Sequence, residues 1–202
     1  ATPWSKIGKV DNKGFELSVN WKKEIIKDMF VDLRGNFTYT QNKYVYNDEP
    51  DYPYVWQTKT GKPLSCTYGY IADGLFEDED DIRNSPSQKN LGSTVMPGDI
   101  KYRDVNGDGA ITTEDQVMLS RYGGIPRIQY GFGLNWTYKN IDFGVFFNGS
   151  AQRTLMIDNI APFCSDVGNQ DRNLMKFIAD NYWSEASPNP EAAYPRLGVN
   201  NS

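Results

Sequence analysis

The sequence predicts an all-β chain: an antiparallel segment of a transmembrane β-barrel, with about four long strands in two hairpins and long extracellular loops. Three observations support this fold class. Apolar and polar residues alternate over stretches of about ten residues, a length typical of barrel strands. Short turns alternate with very long connections along the chain. One of the long connections contains the pattern of a calcium-binding loop.

The first predicted hairpin comprises strands at residues 13–22 and 29–40, joined by a short connection at residues 23–28. Side chains alternate across a strand, so a period of two places all apolar residues of a strand on one face. A soluble sandwich would also alternate, but strands this long with a small or polar second face favour a barrel. The apolar positions are Phe15, Leu17, Val19 and Trp21, followed by Val31, Leu33, Phe37 and Tyr39.

The second predicted hairpin comprises strands at residues 127–138 and 141–149, around a tight turn at Lys139 and Asn140. Phe146 is an exception to the alternation, because it falls on the otherwise polar face. The second face is small or polar, as expected for a strand that faces lipid outside and a watery lumen inside. The apolar positions are Ile128, Tyr130, Phe132, Leu134, Trp136 and Tyr138, then Ile141, Phe143, Val145 and Phe147.

The connections outside the hairpins are residues 41–126 and residues 150–202, which we expect to be external loops. Short turns on one side and long loops on the other are typical of outer-membrane barrels. A soluble domain would rarely need a connection as long as residues 41–126 without strands of its own. The sequence therefore predicts hairpin turns at the periplasmic end and loops at the outer end.

Composition excludes several classes of protein. The 26 acidic and 21 basic residues give a net charge of −5, which argues against nucleic acid as a partner. The chain has no histidine, which removes Ser-His-Asp and Cys-His catalysis and HExxH zinc sites, so we expect no enzyme. The two cysteines, Cys66 and Cys164, are too few for a zinc cluster and either pair or remain thiols.

Residues 104–115 match the twelve-residue calcium loop of helix-loop-helix proteins at every ligand position. Gly109 stands at the turn position, and Ile111 can anchor the loop in a small core. The alternative is a series of Asx turns without an ion. We expect structural Ca²⁺ of modest affinity, because aspartate at the last position reaches less far than glutamate. The predicted ligands are Asp104, Asn106, Asp108, the Ala110 carbonyl, Thr112 through water, and Asp115.

Two further segments have simpler interpretations. The acidic run at residues 77–81 indicates a solvated helix start or loop rather than a second metal site. Apolar residues at helical spacing predict a short amphipathic helix in the last loop, capped by Asp171 and ended before Pro188. The apolar positions of this helix are Leu174, Phe177, Ile178 and Tyr182.

Several of these motifs together resemble the SusC/RagA family of TonB-dependent outer-membrane transporters. The similar segments are residues 98–109, 125–136 and 143–150, with further likeness at residues 13–21, 69–76, 181–185 and 194–197. The resemblance implies a plugged barrel of about 22 strands that imports oligosaccharides or peptides with a SusD-like surface lipoprotein. It also implies that this chain, which has no initiator Met or signal peptide, is an excerpt of the C-terminal part of the barrel. TonB would then contact a part outside this chain, and lipid of the bacterial outer membrane would surround the strands.

Two functions from different classes follow, and an adhesin segment is a third, weaker interpretation. The first is part of an energy-coupled importer. The second is a secreted, calcium-stabilised β-module that binds carbohydrate. The apolar sheet face separates them, because it meets lipid and stays uncovered in the first case, whereas a second sheet covers it in the second case.

Overall fold

The computed structural model describes residues 7–92, 94–157 and 174–197. Antiparallel β-structure predominates in these residues, as predicted. Among them, no helix is both long and apolar enough to cross a membrane. The strands within the described residues are β1 (Gly8–Ile26), β2 (Met29–Asn47), β3 (Thr67–Gly69), β4 (Ala72–Leu75), β5 (Ile100–Tyr102), β6 (Val117–Ser120), β7 (Ile128–Tyr138) and β8 (Ile141–Ala151).

The two predicted hairpins lie side by side in one antiparallel sheet with the strand order β1-β2-β7-β8. Lys27 and Asp28 form the first turn, and Lys139 and Asn140 form the second. Asp28 and Lys139 have positive φ values of 63° and 53°, which tight hairpin turns require. The sheet is open, with β1 and β8 at its edges, because four strands are too few to close a barrel.

Strands β1 and β2 are longer than the predicted residues 13–22 and 29–40. Their pairing continues from Gly14 opposite Thr40 to Gly8 opposite Asn47, with one irregularity at Lys9 and Val10. Strand β7 ends its pairing with β2 at Ile128 opposite Tyr39, so the two long strands extend beyond the rest of the sheet. Alternation does not reveal this extension, because polar residues occupy both of its faces.

The long connection after β2 differs from the prediction, because it contains strands of its own. Strand β4 pairs with β5 and strand β3 pairs with β6, each pair forming a two-stranded sheet. Three short 3-10 turns also occur in it, at Val55–Gln57, Lys89–Leu91 and Thr113–Asp115. These strands have only three or four residues, so an alternating pattern cannot be recognised in them.

The acidic run starts a helix, as the simpler interpretation predicted. Helix α1 (Glu79–Asn84) follows Asp78, whose side chain accepts a hydrogen bond from the Asp81 amide. Acidic residues in a first helical turn are stabilised by the helix dipole. Lys101 also donates to Asp81 at 2.6 Å, which lowers the pKa of that carboxyl despite its partial burial.

The last predicted helix is shorter than expected. Helix α2 spans only Lys176–Ala179, and Ile178 within it is fully buried. Its proposed cap, Asp171, lies outside the described residues, as does Cys164. Cys66 is a free cysteine, with its thiol 3.2 Å from the Pro63 carbonyl oxygen.

The chain divides into two compact units. The sheet unit comprises Ala1–Tyr52, Thr58–Thr67 and Ser120–Leu155, and the loop unit comprises Pro53–Gln57, Tyr68–Leu119 and Met156–Ser202. Among the described residues, the large buried hydrophobic side chains all belong to the loop unit. They are Phe76, Ile111, Ile178 and Trp183. The long loops therefore contain the hydrophobic core, whereas the longest strands bury no large apolar side chain.

Candidate functional site

The apolar positions of all four long strands lie on the same face of the sheet. In an antiparallel pair, residues directly opposite each other share a face. Leu17 lies opposite Phe37, which in turn lies opposite Tyr130. Farther along the sheet, Leu134 lies between Leu33 and Val145. The register therefore joins the four separate sequence patterns into one apolar surface, as the alternation predicted.

This apolar face is uncovered in the described structure. Phe15, Leu17 and Phe143 expose 60%, 57% and 56% of their surface, and Phe132 and Phe147 expose 53% each. Aromatic rings on it contact each other across the strands, for example Phe132 and Phe147 with centroids 5.1 Å apart. Large exposed apolar patches mark surfaces that contact another apolar medium or a partner. The uncovered face is the outcome expected for the importer rather than for the soluble module.

The opposite face is mainly polar, with exposed aromatic residues at Phe30 in β2 and Phe146 in β8. The polar positions pair with each other in the same way, for example Asn36 with Gly131 and Asn148 with Gly131. Phe146 lies on this face, as its place in the sequence pattern predicted, and is 55% exposed. The sheet therefore separates an apolar surface from a hydrogen-bonding surface across a single layer.

The predicted calcium loop folds around hydrogen bonds from backbone N–H groups to its own side chains. Asp104 accepts from the amides of Gly107 at 2.6 Å and Gly109 at 2.8 Å. Asp108 accepts from the Ala110 amide at 2.8 Å, and Asn106 accepts from the Asp108 amide at 3.1 Å. Positive φ values of 78° at Gly107 and 87° at Gly109 permit the tight winding.

Asp115 closes the loop from its far end. The residue is fully buried, and its two carboxylate oxygens accept hydrogen bonds from the amides of Val105, Asn106 and Thr112. Burial alone would raise the pKa of this carboxyl, but the N–H donors outweigh burial and lower it. Thr112 and Asp115 also form a capping box around the turn Thr113–Asp115. The last carboxylate is therefore ionised and held against the first residues of the loop.

Glu114 is an additional oxygen donor that the twelve-residue pattern did not predict. The Asn106 side-chain amide donates to Asp108 at 3.1 Å and to Glu114 at 3.3 Å, so the three side chains are neighbours. Within the described residues, no group of three or more Asp, Glu, Cys or His side chains has a geometry that could hold a metal ion. The donors are all hard oxygens, which suit Ca²⁺ chemically, and the calcium site stays a prediction.

The loop is attached firmly to its surroundings in the loop unit. Ile111 is fully buried, as predicted, and its amide donates to the Ser87 carbonyl at 2.8 Å. The Ser87 amide in turn donates to the Gly109 carbonyl at 2.9 Å. On the other side, the Trp56 indole donates to the Glu114 carbonyl at 2.8 Å. These contacts anchor the second half of the loop, from Gly109 to Glu114.

Three motifs far apart in the sequence meet in the loop unit. The Asp99 carboxylate accepts a hydrogen bond from the Arg196 guanidinium at 2.6 Å, and each side chain is only 19% exposed. The Arg196 amide donates to the Gly98 carbonyl at 2.9 Å. Gly98 lies against the Trp183 ring, where an added Cβ would be 2.2 Å from the nearest ring carbon. The segments around residues 98, 183 and 196 therefore stabilise one another.

The described residues form an open antiparallel sheet with one uncovered apolar face and a second compact unit made of the long connections. No protein-family model matches the chain. Two TonB-dependent receptors of Formosa agariphila are similar to it, at 24% identity over 203 residues and 28% over 158 residues. The TonB-dependent receptor SusC of Bacteroides thetaiotaomicron is 25% identical over 160 residues. The matches cover 95%, 71% and 75% of this chain, respectively.

Solved structures of the RagAB peptide transporter share the fold. One matches with a TM-score of 0.59 at 19% identity, and another, in a closed state, with a TM-score of 0.59 at 21% identity. Each match covers 95% of this chain and 20% of the solved chain. The resemblance to SusC/RagA receptors is therefore confirmed, and the chain spans about a fifth of the length of these relatives, 19% of the first receptor and 15% of SusC.

Proposed function

We propose that this chain is part of the barrel wall of a TonB-dependent importer in the bacterial outer membrane. The uncovered apolar face, continuous over all four long strands, is the observation that supports it most directly. In this arrangement the apolar face contacts lipid and the polar face lines the lumen. The tight turns of the sheet then face the periplasm, and the long connections are external loops.

The importer carries oligosaccharides or peptides and performs no chemistry on them. SusC and RagAB, the relatives above, are a receptor and a peptide transporter by name. A SusD-like lipoprotein is the expected partner at the outer surface. TonB contacts a part of the protein outside this chain. Nucleic acid is not an expected partner, because the net charge of this chain is negative.

A secreted calcium-stabilised module that binds carbohydrate is the alternative function. It requires a covered apolar face, since a soluble sheet buries that face in a sandwich. The exposures of Phe15, Leu17 and Phe132 speak against it. We therefore favour the importer.

Import is tested with the full-length protein in its own outer membrane. Cells that produce it are expected to take up labelled oligosaccharide or peptide, and uptake is expected to stop when the proton gradient is dissipated, because TonB transmits that energy. Labelled substrate that binds to the cell surface without entering the cell is measured as the reference for uptake. Release of cleaved substrate by the purified protein, or uptake that is unchanged in a deletion strain, would contradict the proposal.

We also propose that the loop of residues 104–115 binds structural Ca²⁺. Five oxygen-bearing side chains support this, together with the prior ordering of Asp104 and Asp115 by N–H donors, which reduces the entropy lost on binding. The ligands are those predicted from the sequence, and Glu114 is a further candidate because it neighbours Asn106. The ion offsets repulsion among the carboxylates.

Removing the metal ligands is expected to loosen the loop and leave the sheet intact. Asp104→Ala combined with Asp108→Ala removes two carboxylates and three hydrogen bonds to backbone amides. Protease cleavage within residues 101–121 should increase, while residues 127–149 remain resistant. A chelator should act like the double variant, and Mg²⁺ should restore little, because it requires a tighter octahedral shell. Calorimetry that detects no Ca²⁺ binding at millimolar concentration would show that the loop is held by Asx turns alone.

A further inference from the structure

Phe146 lies on the polar face of the sheet, where its ring packs against two glycines of β7. The two glycines of β7 nearest to it, Gly131 and Gly133, are buried beneath it. An added Cβ would be 2.9 Å from the ring at Gly131 and 2.8 Å at Gly133, so a side chain at either position would displace the ring. The Arg34 guanidinium carbon lies 5.6 Å from the ring centroid, within the range of a cation–π contact. The ring is thus fixed against the β7 backbone.

The fixed ring remains open to the surroundings. More than half of the Phe146 surface is exposed, 55%, although its neighbours on both sides hold it in place. A ring that is both fixed and open is suited to stack on a flat ligand.

Three amide side chains lie around this ring. Asn36, Gln129 and Asn148 are exposed, and within the described part of the chain none of their side chains forms a hydrogen bond. They line a cavity of about 310 Å³ that contains Phe146 and Thr38, and no charged residue lines it. Each amide offers two N–H donors and a carbonyl acceptor. The cavity lining therefore presents neutral hydrogen-bonding groups around one aromatic ring, and the Arg34 guanidinium, outside the lining, is the one cation described in contact with that ring.

We propose that Phe146 with Asn36, Gln129 and Asn148, here called the Phe146 platform, binds a neutral sugar ring of the imported substrate. The inference deepens the proposed import function and rests on it, because the polar face must line the lumen. A sugar ring has a face of C–H bonds that stacks on an aromatic ring, and hydroxyl groups that both donate to and accept from amides. The cavity lining has no carboxylate that would recognise the amino terminus or a basic side chain of a peptide.

The test uses the full-length protein purified in detergent and an array of neutral oligosaccharides, with the best-bound one titrated. Phe146→Ala is expected to weaken its binding about tenfold, because stacking on the ring is lost. Phe146→Tyr, which keeps the ring, should restore most of the affinity. Phe147→Ala is the matched control, since it removes the same side chain one residue away on the opposite face. It should leave the affinity unchanged, with all variants equally folded.

The outcomes separate this inference from the import function itself. If import continues and Phe146→Ala binds oligosaccharide as tightly as the native protein, the Phe146 platform is wrong and the import function stands. Equal weakening by Phe146→Ala and Phe147→Ala also overturns it, because the effect would then be structural. Binding of uncharged capped peptides, but of no oligosaccharide, that depends on Phe146 overturns the choice of a sugar. If the full-length protein neither binds nor imports oligosaccharides or peptides, both proposals are wrong.

Discussion

Leu134→Arg is expected to prevent most of the full-length protein from assembling in the outer membrane. Leu134 lies near the middle of β7 on the apolar face, between Leu33 and Val145. Arginine at the midplane of a lipid-facing strand costs about 2–4 kcal/mol, because its charge loses water without gaining a partner. The effect is measured as the fraction of folded protein in outer-membrane extracts. Folded protein is distinguished by its resistance to denaturation before the sample is heated.

Two variants on the same strand are controls for this prediction. Asn135→Arg places the same side chain on the polar face, beside Asp32 and Gly144, where water reaches it and a carboxylate is near. Ile128→Arg places it on the apolar face at the end of the strand, where the cost falls to about 0–1 kcal/mol. Assembly is expected to decrease in the order Asn135→Arg, Ile128→Arg, Leu134→Arg. Equal assembly of Leu134→Arg and Asn135→Arg would mean that the apolar face does not meet lipid.

Gly98→Ala is expected to disrupt the packing among residues 98, 183 and 196 in the loop unit. Its φ of +86° is unfavourable for alanine, and the added methyl group would lie 2.2 Å from the Trp183 ring. The backbone strain costs about 1–2 kcal/mol, and the overlap adds about 1–3 kcal/mol. Trp183 is 5% exposed and cannot move aside without opening the core. Hydrogen exchange of the amides that pair here, at Trp183 and Arg196, should accelerate about a hundredfold or more.

Gly92→Ala is the matched control, because Gly92 has a φ of +98° and no neighbour within 4 Å of an added Cβ. It should cost only the backbone strain, about 1–2 kcal/mol. Exchange at Trp183 and Arg196 should therefore stay close to that of the native protein. If both variants accelerate exchange at these amides alike, the close packing of Gly98 on Trp183 is not what stabilises the loop unit.

The four long strands and the faces of the sheet were predictable from the sequence, because alternation is a local property of a strand. Phe15 to Trp21 and Ile128 to Tyr138 form one apolar surface as expected, and Phe146 breaks the pattern where predicted. The ends of β1 and β2 were not predictable, since Gly8 to Gly14 pairs through backbone hydrogen bonds while its side chains alternate weakly. Strands β3 to β6 are too short for any periodic signal.

In the loop of residues 104–115, some side-chain features were likewise predictable from the sequence and others were not. Its ligand pattern and the burial of Ile111 follow from spacing within twelve residues. The proximity of Glu114 to Asn106 depends on how the turn Thr113–Asp115 is capped, and the contact from Trp56 depends on a segment 58 residues away. Such contacts require the folded chain, because no local rule relates the residues.

By itself, the sequence determined the class of sheet, its two faces, the hairpin turns and the resemblance to SusC-type receptors, since each depends on patterns within a strand or a short motif. Only the tertiary structure decided that the apolar face is uncovered and that the long loops have their own core. It also decided that Asp99 pairs with Arg196, 97 residues away, and that glycines from β7 support Phe146 of β8. These features depend on which segments meet in space, and that is decided by packing and register over the whole chain.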